Sequence, residues 1–131
     1  EYGIDEPPVF EYSEHGKPSI VGHPEIYFNL SHCRSVAACV VSLSPVGVDV
    51  EDVREFKESL ARYVLNDDEY AAVMSSQSPA QEFIRLWTMK ESYLKLTGEG
   101  ITRDLKTVLT DMGKYHFDTR FLHTSILTIC Y

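Results

Sequence analysis

Residues 81–98 read QEFIRLWTMKESYLKLTG and are the strongest structural signal in the chain. Ser78 and Pro79 precede them as a candidate cap and a preorganised first helical residue, and Gly98 supplies a stop. The apolar side chains of this stretch cover most of a helical circumference, a pattern typical of a buried helix. The sequence therefore predicts a long buried helix that begins near Pro79 and ends near Gly98.

Glu91 is the exception on this helix. It shares a helical stripe with the apolar residues Trp87 and Leu94. A carboxylate on a buried stripe is costly unless a cation accompanies it. Lys95 lies one turn further on and could form an intrahelical pair with Glu91. This structural explanation stays open beside a functional one.

The stretch GVDVE at residues 47–51 alternates apolar and acidic residues. In a strand, Asp49 and Glu51 point to one face and the two valines to the other. A solvated strand face would tolerate two carboxylates. A divalent cation would also explain them, and oxygen ligands favour Mg²⁺ or Mn²⁺. Together with Glu91, these carboxylates could form an open metal site for a phosphate-bearing substrate.

Four motifs in fixed order carry a family resemblance. GVDVE followed by WTMKESYLKLTG (87–98) resembles the paired signature of the 4'-phosphopantetheinyl transferases, of the surfactin-synthetase-activating type. Upstream, HGKPSI (15–20) and FNLSHC (28–33) resemble two further elements of that family in the right order. The combination is much more specific than GVDVE alone.

The resemblance implies an α+β fold in which an antiparallel or mixed sheet packs against a long central helix. Family members typically have two similar halves related by a pseudo-twofold axis, with coenzyme A between them. We expect one domain over residues 1–131, with 1–46 as the end of the first half and 47–131 as the second half, which carries the metal site. Much of the first half is absent. The chain is then a fragment, or a short form that assembles into a homo-oligomer to rebuild the cleft.

The implied activity is that of a holo-[acyl-carrier-protein] synthase. Such an enzyme uses Mg²⁺ to transfer the 4'-phosphopantetheine arm of coenzyme A, its co-substrate, to a serine of an apo acyl or peptidyl carrier protein, releasing 3',5'-ADP. The implied metal ligands are Asp49, Glu51 and Glu91. Glu91 is also the candidate general base, and Lys95 is the candidate to support the leaving group.

The resemblance also implies contacts with coenzyme A. The residues concerned are Lys17, Ser31, His32, Lys90 and Lys95. Simpler structural roles exist for two of them, since Lys17 could be a solvated turn residue and His32 could end a strand. Trp87 is expected in the core rather than as a stacking platform.

Composition limits the function classes. A formal net charge of −8 argues against general nucleic-acid binding, and no apolar run reaches transmembrane length. We recognise no signal peptide. The three cysteines lack metal-like spacing, so we expect reduced thiols in a cytoplasmic protein, with Cys39 and Cys130 in the core.

The remaining pattern predicts the other elements. We expect strands at 9–12, 26–30, 36–43, 47–51, 106–110, 115–122 and 125–131, and helices at 54–64 and 67–74. The strand at 36–43 should be buried and form a hairpin with 47–51. The last two strands should form a closing hairpin, preceded by a turn at 111–114. Asn66 should cap the second helix.

Two other functional classes remain open. One is a truncated, non-catalytic relative that binds coenzyme A or a carrier protein; the intact acidic and lysine motifs argue against it. The other is an unrelated Mg²⁺-dependent phosphotransfer enzyme or nuclease. The acidic net charge argues against a nuclease.

Overall fold

The computed structural model describes residues 2–100, 104–110 and 113–131. Its elements in chain order are β1 Phe10–Tyr12, β2 Pro18–Ile20, β3 Tyr27–His32, β4 Ala37–Ser42, β5 Gly47–Asp52, α1 Glu58–Val64, α2 Asp67–Ser75, α3 Pro79–Thr97, a 3-10 turn Leu105–Thr107, β6 Phe117–Leu122 and β7 Ser125–Cys130. The predicted α+β class is confirmed. Within the described residues, no helix combines the length and apolar character needed to cross a membrane.

The strands form three antiparallel sheets: β1–β2, β3–β4 and β5–β7–β6. Helix α3 packs across β5 and β7 of the three-stranded sheet. Phe83 and Leu94 of the helix share one buried cluster with Ile126 and Cys130 of β7. The predicted sheet against a long central helix is therefore confirmed. Burial of these side chains is the main source of stability at this junction.

Gly47 allows β5 to lie directly against α3. A Cβ atom at this position would stand 1.9 Å from the carbonyl oxygen of Ser92 and 2.6 Å from the amide nitrogen of Leu96. Both atoms belong to the helix backbone and cannot rotate away. Glycine is thus required here by close approach of two backbones, the usual reason for a glycine inside a strand.

The predicted hairpin between 36–43 and 47–51 is wrong. Strand β4 pairs with β3, and β5 pairs with β7 at the far end of the chain, with Gly47 opposite Cys130. The edge of β5 that faces away from β7 meets side chains of β3, since Asn29 and Ser31 accept the Val48 and Val50 N–H groups. No backbone ladder to β4 can form where those donors are already used.

Burial of β4 also differs from the prediction. Alternate residues of this strand are exposed, including Cys39 and Val41. The expectation that Cys39 lies in the core is therefore wrong, whereas Cys130 is buried as predicted. The exposed residues alternate along β4 and so lie on one face, which lacks a packing partner among the described residues.

Residues 106–110 do not form the predicted strand. The chain makes the 3-10 turn Leu105–Thr107 instead, because the Asp104 carboxylate accepts the N–H of Lys106 and caps it. The predicted turn at 111–114 lies partly outside the described residues. The closing hairpin is confirmed as β6 and β7, in full antiparallel register.

The helix ends show which capping signals operate. Asn66 and Glu69 form a reciprocal capping box at the start of α2. Ser78 occupies the position before α3 but its hydroxyl makes no capping bond, so Pro79 alone marks that start. Gly98 ends α3 in the left-handed conformation, with φ of 74° and its N–H bonded to the Leu94 carbonyl. Helix α1 begins only at Glu58, later than predicted.

Candidate functional site

A cavity of about 410 Å³ lies between α3, β5 and the end of β3. The three carboxylates that the sequence singled out, Asp49, Glu51 and Glu91, all line it together with Lys95. We call the cavity that these four residues line the acidic cavity. Because Gly47 brings β5 onto α3, the two motifs that are separated by some forty positions meet in one place.

Asp49 is the most enclosed of the carboxylates, with only 4% of its surface exposed. Its Oδ1 accepts hydrogen bonds from Lys95 Nζ at 2.7 Å and from Ser31 Oγ at 3.0 Å. Its Oδ2 is buried and has no partner among the described residues. An unpartnered buried carboxylate oxygen is costly, so this atom is the clearest opening for a ligand.

Glu91 shows the same feature. Its Oε1 is buried without a hydrogen-bond partner in the described part of the chain. Burial raises the pKa of the Glu91 carboxyl, and the nearby Asp49 raises it further, while Lys95 acts in the opposite sense. Burial and Asp49 likewise raise the pKa of Glu51. The cavity thus holds more negative charge than its one lysine balances.

Lys95 does not form the intrahelical pair that was the structural explanation for Glu91. In the described structure its Nζ donates across to Asp49 and Ser31 rather than along the helix to Glu91. The Glu91 carboxylate on the apolar stripe of α3 therefore lines the cavity without a hydrogen bond from Lys95. Although Glu91 as a whole is only partly buried, its Oε1 stays buried with no hydrogen-bond partner among the described residues.

Two criteria for a metal disagree here. The described residues contain no cluster of three His, Cys, Asp or Glu side chains already at metal-binding spacing. The donor chemistry, however, fits a hard cation, since Asp49 Oδ2 and Glu91 Oε1 are buried carboxylate oxygens that find no partner in the described structure. Spacing is the weaker criterion, because carboxylates repel one another when no cation lies between them. The unpartnered oxygens therefore favour a cation site here despite the spacing.

A second cavity, of about 220 Å³, adjoins the first and shares Glu91 and Lys95 with it. Lys17, which follows the turn between β1 and β2, lines this second cavity. Its Nζ donates to the carbonyl oxygen of Leu96 near the end of α3. Burial lowers the pKa of the Lys17 ammonium. His15 and Asn29 add further polar groups to the lining of this cavity.

His32 and Ser31 lie at the end of β3 but differ in what they offer. His32 is exposed and lines the acidic cavity. The Ser31 hydroxyl donates to Asp49 Oδ1 and accepts from Val50 N and Lys95 Nζ. A hydroxyl has one donor and two acceptor positions, so Ser31 has none left for a phosphate in this structure.

Lys90 does not join the cavity. Neighbouring residues on a helix point about 100° apart, and Lys90 is 1% exposed on the far side of α3. Its Nζ donates to the backbone oxygens of Val64 and Leu105 at 3.0 and 2.7 Å and to Glu69 Oε2 at 2.7 Å. The predicted contact between Lys90 and a coenzyme A phosphate has no support in this geometry. We leave Lys90 out of the site.

Sequence reasoning missed two residues that shape the cavity. Asn29 Oδ1 accepts the Val48 N–H at 2.9 Å, and Gly47 sets the contact between β5 and α3. A glycine within a strand is a recognised signal of close backbone approach and could have been read. Trp87 is half-buried, lining the cavity with one side and packing on Phe83 with the other.

Comparison with known proteins agrees with this geometry. A family model described as the 4'-phosphopantetheinyl transferase superfamily matches residues 45–128, more than half of the chain. Among curated relatives, 4'-phosphopantetheinyl transferase psf-1 of Bacillus pumilus is 37% identical over 101 residues, covering 76% of this chain and 43% of the relative. 4'-Phosphopantetheinyl transferase gsp of Aneurinibacillus migulanus is 36% identical over 95 residues, covering 71% and 39%.

4'-Phosphopantetheinyl transferase Sfp of Bacillus subtilis strain 168 is 31% identical over 108 residues, covering 80% of this chain and 48% of the relative. The chain thus spans about half the length, or less, of these curated relatives. The matched residues include β5 with Asp49 and Glu51, and α3 with Glu91 and Lys95. On this match, the chain belongs to the 4'-phosphopantetheinyl transferase superfamily.

Proposed function

We propose that this chain carries the metal-binding and coenzyme A-binding part of a 4'-phosphopantetheinyl transferase. Such an enzyme moves the phosphopantetheine arm of coenzyme A to a serine of an apo acyl or peptidyl carrier protein. The observation that carries the proposal is the acidic cavity, where Asp49 Oδ2 and Glu91 Oε1 are buried without partners among residues 2–100, 104–110 and 113–131, beside a second, lysine-bearing cavity. A cation and a polyphosphate together would satisfy both cavities.

Asp49, Glu51 and Glu91 would hold Mg²⁺, with Mn²⁺ as an alternative. When bound, the ion would offset the negative charge that builds up on a reacting pyrophosphate. The raised pKa values of Glu91 and Glu51 support this assignment, because burial and the neighbouring Asp49 both disfavour their charged forms and a bound cation would reduce that cost.

The chain's own residues would act on the proton and on the substrate. The carrier serine Oγ forms a bond to the β-phosphorus of coenzyme A, and the bond from that phosphorus to the bridging oxygen of 3',5'-ADP breaks. The serine proton passes to a Glu91 carboxylate oxygen, directly or through water. An ionised glutamate has two acceptor oxygens, so one oxygen of Glu91 can hold the ion while the other accepts the proton.

Lys95, Lys17 and His32 are the proposed contacts for coenzyme A phosphates. Lys95 lies between the two cavities and would support the departing phosphate once it exchanges Asp49 for the substrate. Lys17 lines the second cavity, and His32 the first.

The domain division into residues 1–46 and 47–131 fits this proposal. The second cavity takes Lys17 and Asn29 from the first segment and Glu91 and Lys95 from the second. The rest of a coenzyme A site would come from additional chain, as in the longer relatives, or from a second copy in a homo-oligomer. We place the activity in the cytoplasm, and the free thiols at Cys33, Cys39 and Cys130 fit a reducing compartment.

A non-catalytic relative that binds coenzyme A or a carrier protein is the second candidate. The short span of the chain relative to its curated relatives favours it. Both candidates use the same cavities, and they differ in whether a covalent product forms.

The test is the intact mass of an apo carrier protein after incubation with this chain, coenzyme A and Mg²⁺. We expect a gain of one phosphopantetheine that EDTA abolishes. Glu91→Gln should abolish the gain, whereas Glu55→Gln, at an exposed glutamate outside the acidic cavity, should not. No gain with any carrier protein, combined with measurable coenzyme A binding, would favour the non-catalytic candidate.

A further inference from the structure

Strand β5 is an edge strand whose outer edge is completed by side chains. Among the described residues, the sheet order β5–β7–β6 gives β5 a backbone partner on one side only. On the other side, Val48 N donates to Asn29 Oδ1 at 2.9 Å and Val50 N donates to Ser31 Oγ at 3.2 Å. Asn29 and Ser31 are alternate residues of β3 and therefore lie on the same face of it. Two side chains replace the ladder that a neighbouring strand would supply.

The position of these two contacts matters because Asp49 lies between them. Val48 and Val50 flank it in sequence, so the backbone is held on both sides of the carboxylate-bearing residue. Asn29 and Ser31 are only 6% and 9% exposed, which keeps water from competing for these N–H groups.

Ser31 acts on the Asp49 carboxylate as well. Its hydroxyl hydrogen is donated to Oδ1, and the same Oδ1 accepts from Lys95 Nζ. With Oδ1 committed to two donors, Oδ2 is the oxygen that remains without a partner in the described structure. Ser31 thus fixes the rotation of the Asp49 carboxylate, and Ser31 is itself held by its hydrogen bond from the Val50 N–H.

We propose that Asn29 and Ser31 form an edge clamp that positions Asp49 so that its Oδ2 faces the acidic cavity. Both are positioning residues, acting through Asp49 rather than on a substrate. Ser31 is thereby removed from the coenzyme A contacts. The proposal rests on the proposed function only for what Oδ2 receives; the clamp itself does not depend on it.

A second aspartate on β5 provides a built-in control. Ser125 and Ser35 donate to Asp52 Oδ1, as Ser31 does to Asp49. The other oxygen of Asp52 accepts the Arg34 N–H, so both of its oxygens are used. Deleting the Ser125 hydroxyl of β7 removes a part-buried serine–aspartate hydrogen bond to β5 without changing any residue that lines the acidic cavity.

The first measurement is amide hydrogen exchange at Val48 and Val50 by NMR, in the full chain with EDTA present. Both amides should be protected although they lie on a strand edge. Ser31→Ala should accelerate exchange at Val50 by about fivefold to tenfold, the equivalent of one hydrogen bond. Asn29→Ala should do the same at Val48. Unprotected amides in the unaltered chain would overturn the clamp.

The second measurement is Mn²⁺ binding by the chain without coenzyme A or carrier protein, followed by the electron paramagnetic resonance of free Mn²⁺. Ser31→Ala should weaken binding about 10-fold to 100-fold, as loss of a residue that orients a metal ligand does. Ser31→Thr keeps the hydroxyl and should restore most of the affinity. Ser125→Ala should leave the affinity unchanged, which separates positioning from a general loss of stability.

The outcomes distinguish the two proposals. Equal Mn²⁺ affinity in the unaltered chain and Ser31→Ala would overturn the role of Ser31 toward Asp49. If the unaltered chain binds no Mn²⁺, the metal assignment and Ser31's role toward it fail together. Selective loss of protection at Val50 in Ser31→Ala would then show that the clamp itself stands.

Discussion

The two sides of α3 each pair a lysine with a carboxylate, but the two pairs differ in whether their polar atoms are satisfied. On one side, Lys90 meets Glu69 and two backbone carbonyls, a group we call the Lys90 cluster. On the other side, Lys95 meets Asp49 in the acidic cavity. Each side places a lysine against a buried or half-buried carboxylate, yet only one of them is complete.

In the Lys90 cluster, each of the three ammonium hydrogens has an acceptor, and Glu69 also closes the capping box of α2. In the acidic cavity, two carboxylate oxygens have no partner within the described part of the chain, and burial with like charge raises the pKa of Glu91 and Glu51. A satisfied polar cluster contributes stability and fixes structure, whereas an unsatisfied one holds binding capacity. Substitutions on the two sides should therefore have different consequences.

The largest effect should come from Lys90→Met. Met fills similar volume but leaves Glu69 and two carbonyls buried without their donor, so we expect the free energy of unfolding to fall by about 3–5 kcal/mol. Urea denaturation measures the change. Lys106→Met, at an exposed lysine, should stay within about 0.5 kcal/mol of the unaltered chain. Equal effects of the two substitutions would contradict the structural role of the Lys90 cluster.

The next effect concerns the cation. Saturating Mg²⁺ should stabilise the unaltered chain, by about 2.7 kcal/mol at one hundred times its dissociation constant. Asp49→Asn removes one of the two unpartnered oxygens as a charged ligand and should abolish most of this gain. Thermal unfolding with and without Mg²⁺ measures it. A gain that survives Asp49→Asn would remove Asp49 from the cation site.

Glu91→Gln should raise the stability of the metal-free chain, and this change should be smaller than the two losses of stability described above. The folded-state pKa of Glu91 is raised, so its ionisation disfavours folding; stability from this group is present below the unfolded value and is lost as pH rises through the folded one. Glu91→Gln should therefore stabilise the metal-free chain at neutral pH, by less than about 1 kcal/mol because solvent screens a partly exposed group. Unfolding at pH 4 and pH 8 should show the gain only at the higher pH.

Asp52→Asn should have the smallest effect on the acidic cavity. The hydroxyls of Ser35 and Ser125 lower the pKa of Asp52 from 3.8 to about 2. The stability that Asp52 contributes is present above pH 3.8 and is lost as pH falls towards about 2. Asp52→Asn should weaken that acid-range dependence and leave the Mg²⁺ titration unchanged. An altered titration would mean that the two aspartates of β5 are not independent.

The sequence predicted what depends on local pattern. Pro79 and Gly98 bound α3 as expected, and Asn66 caps α2, because capping and φ preferences act within a few residues. The closing hairpin was also found. The partner of β5 was not, since β7 lies at the other end of the chain and no local signal links them.

The sequence predicted several residues of the site but fewer of their roles. Asp49 and Glu91 were singled out by charge against apolar neighbours, and both line the acidic cavity. Lys90 was assigned to the site by the family resemblance, and periodicity could not place it elsewhere because α3 is apolar on most sides. The use of the Ser31 hydroxyl could not be predicted, because it depends on how closely β3 approaches β5.

The contact at Gly47 also fixes the distance between the backbones of β5 and α3. Gly47 stands two residues before Asp49, and the Ser92 carbonyl that it faces is adjacent to Glu91, so the two backbones are in hard contact beside their carboxylates. Neither backbone can move closer to compensate for a shorter side chain. A longer one, as in Asp49→Glu, would project inward by a full carbon–carbon bond of about 1.5 Å. Because the two backbones are fixed, the lengths of the Asp49 and Glu91 side chains set the distance between their carboxylates. That distance determines the size of the ion that the cavity can hold.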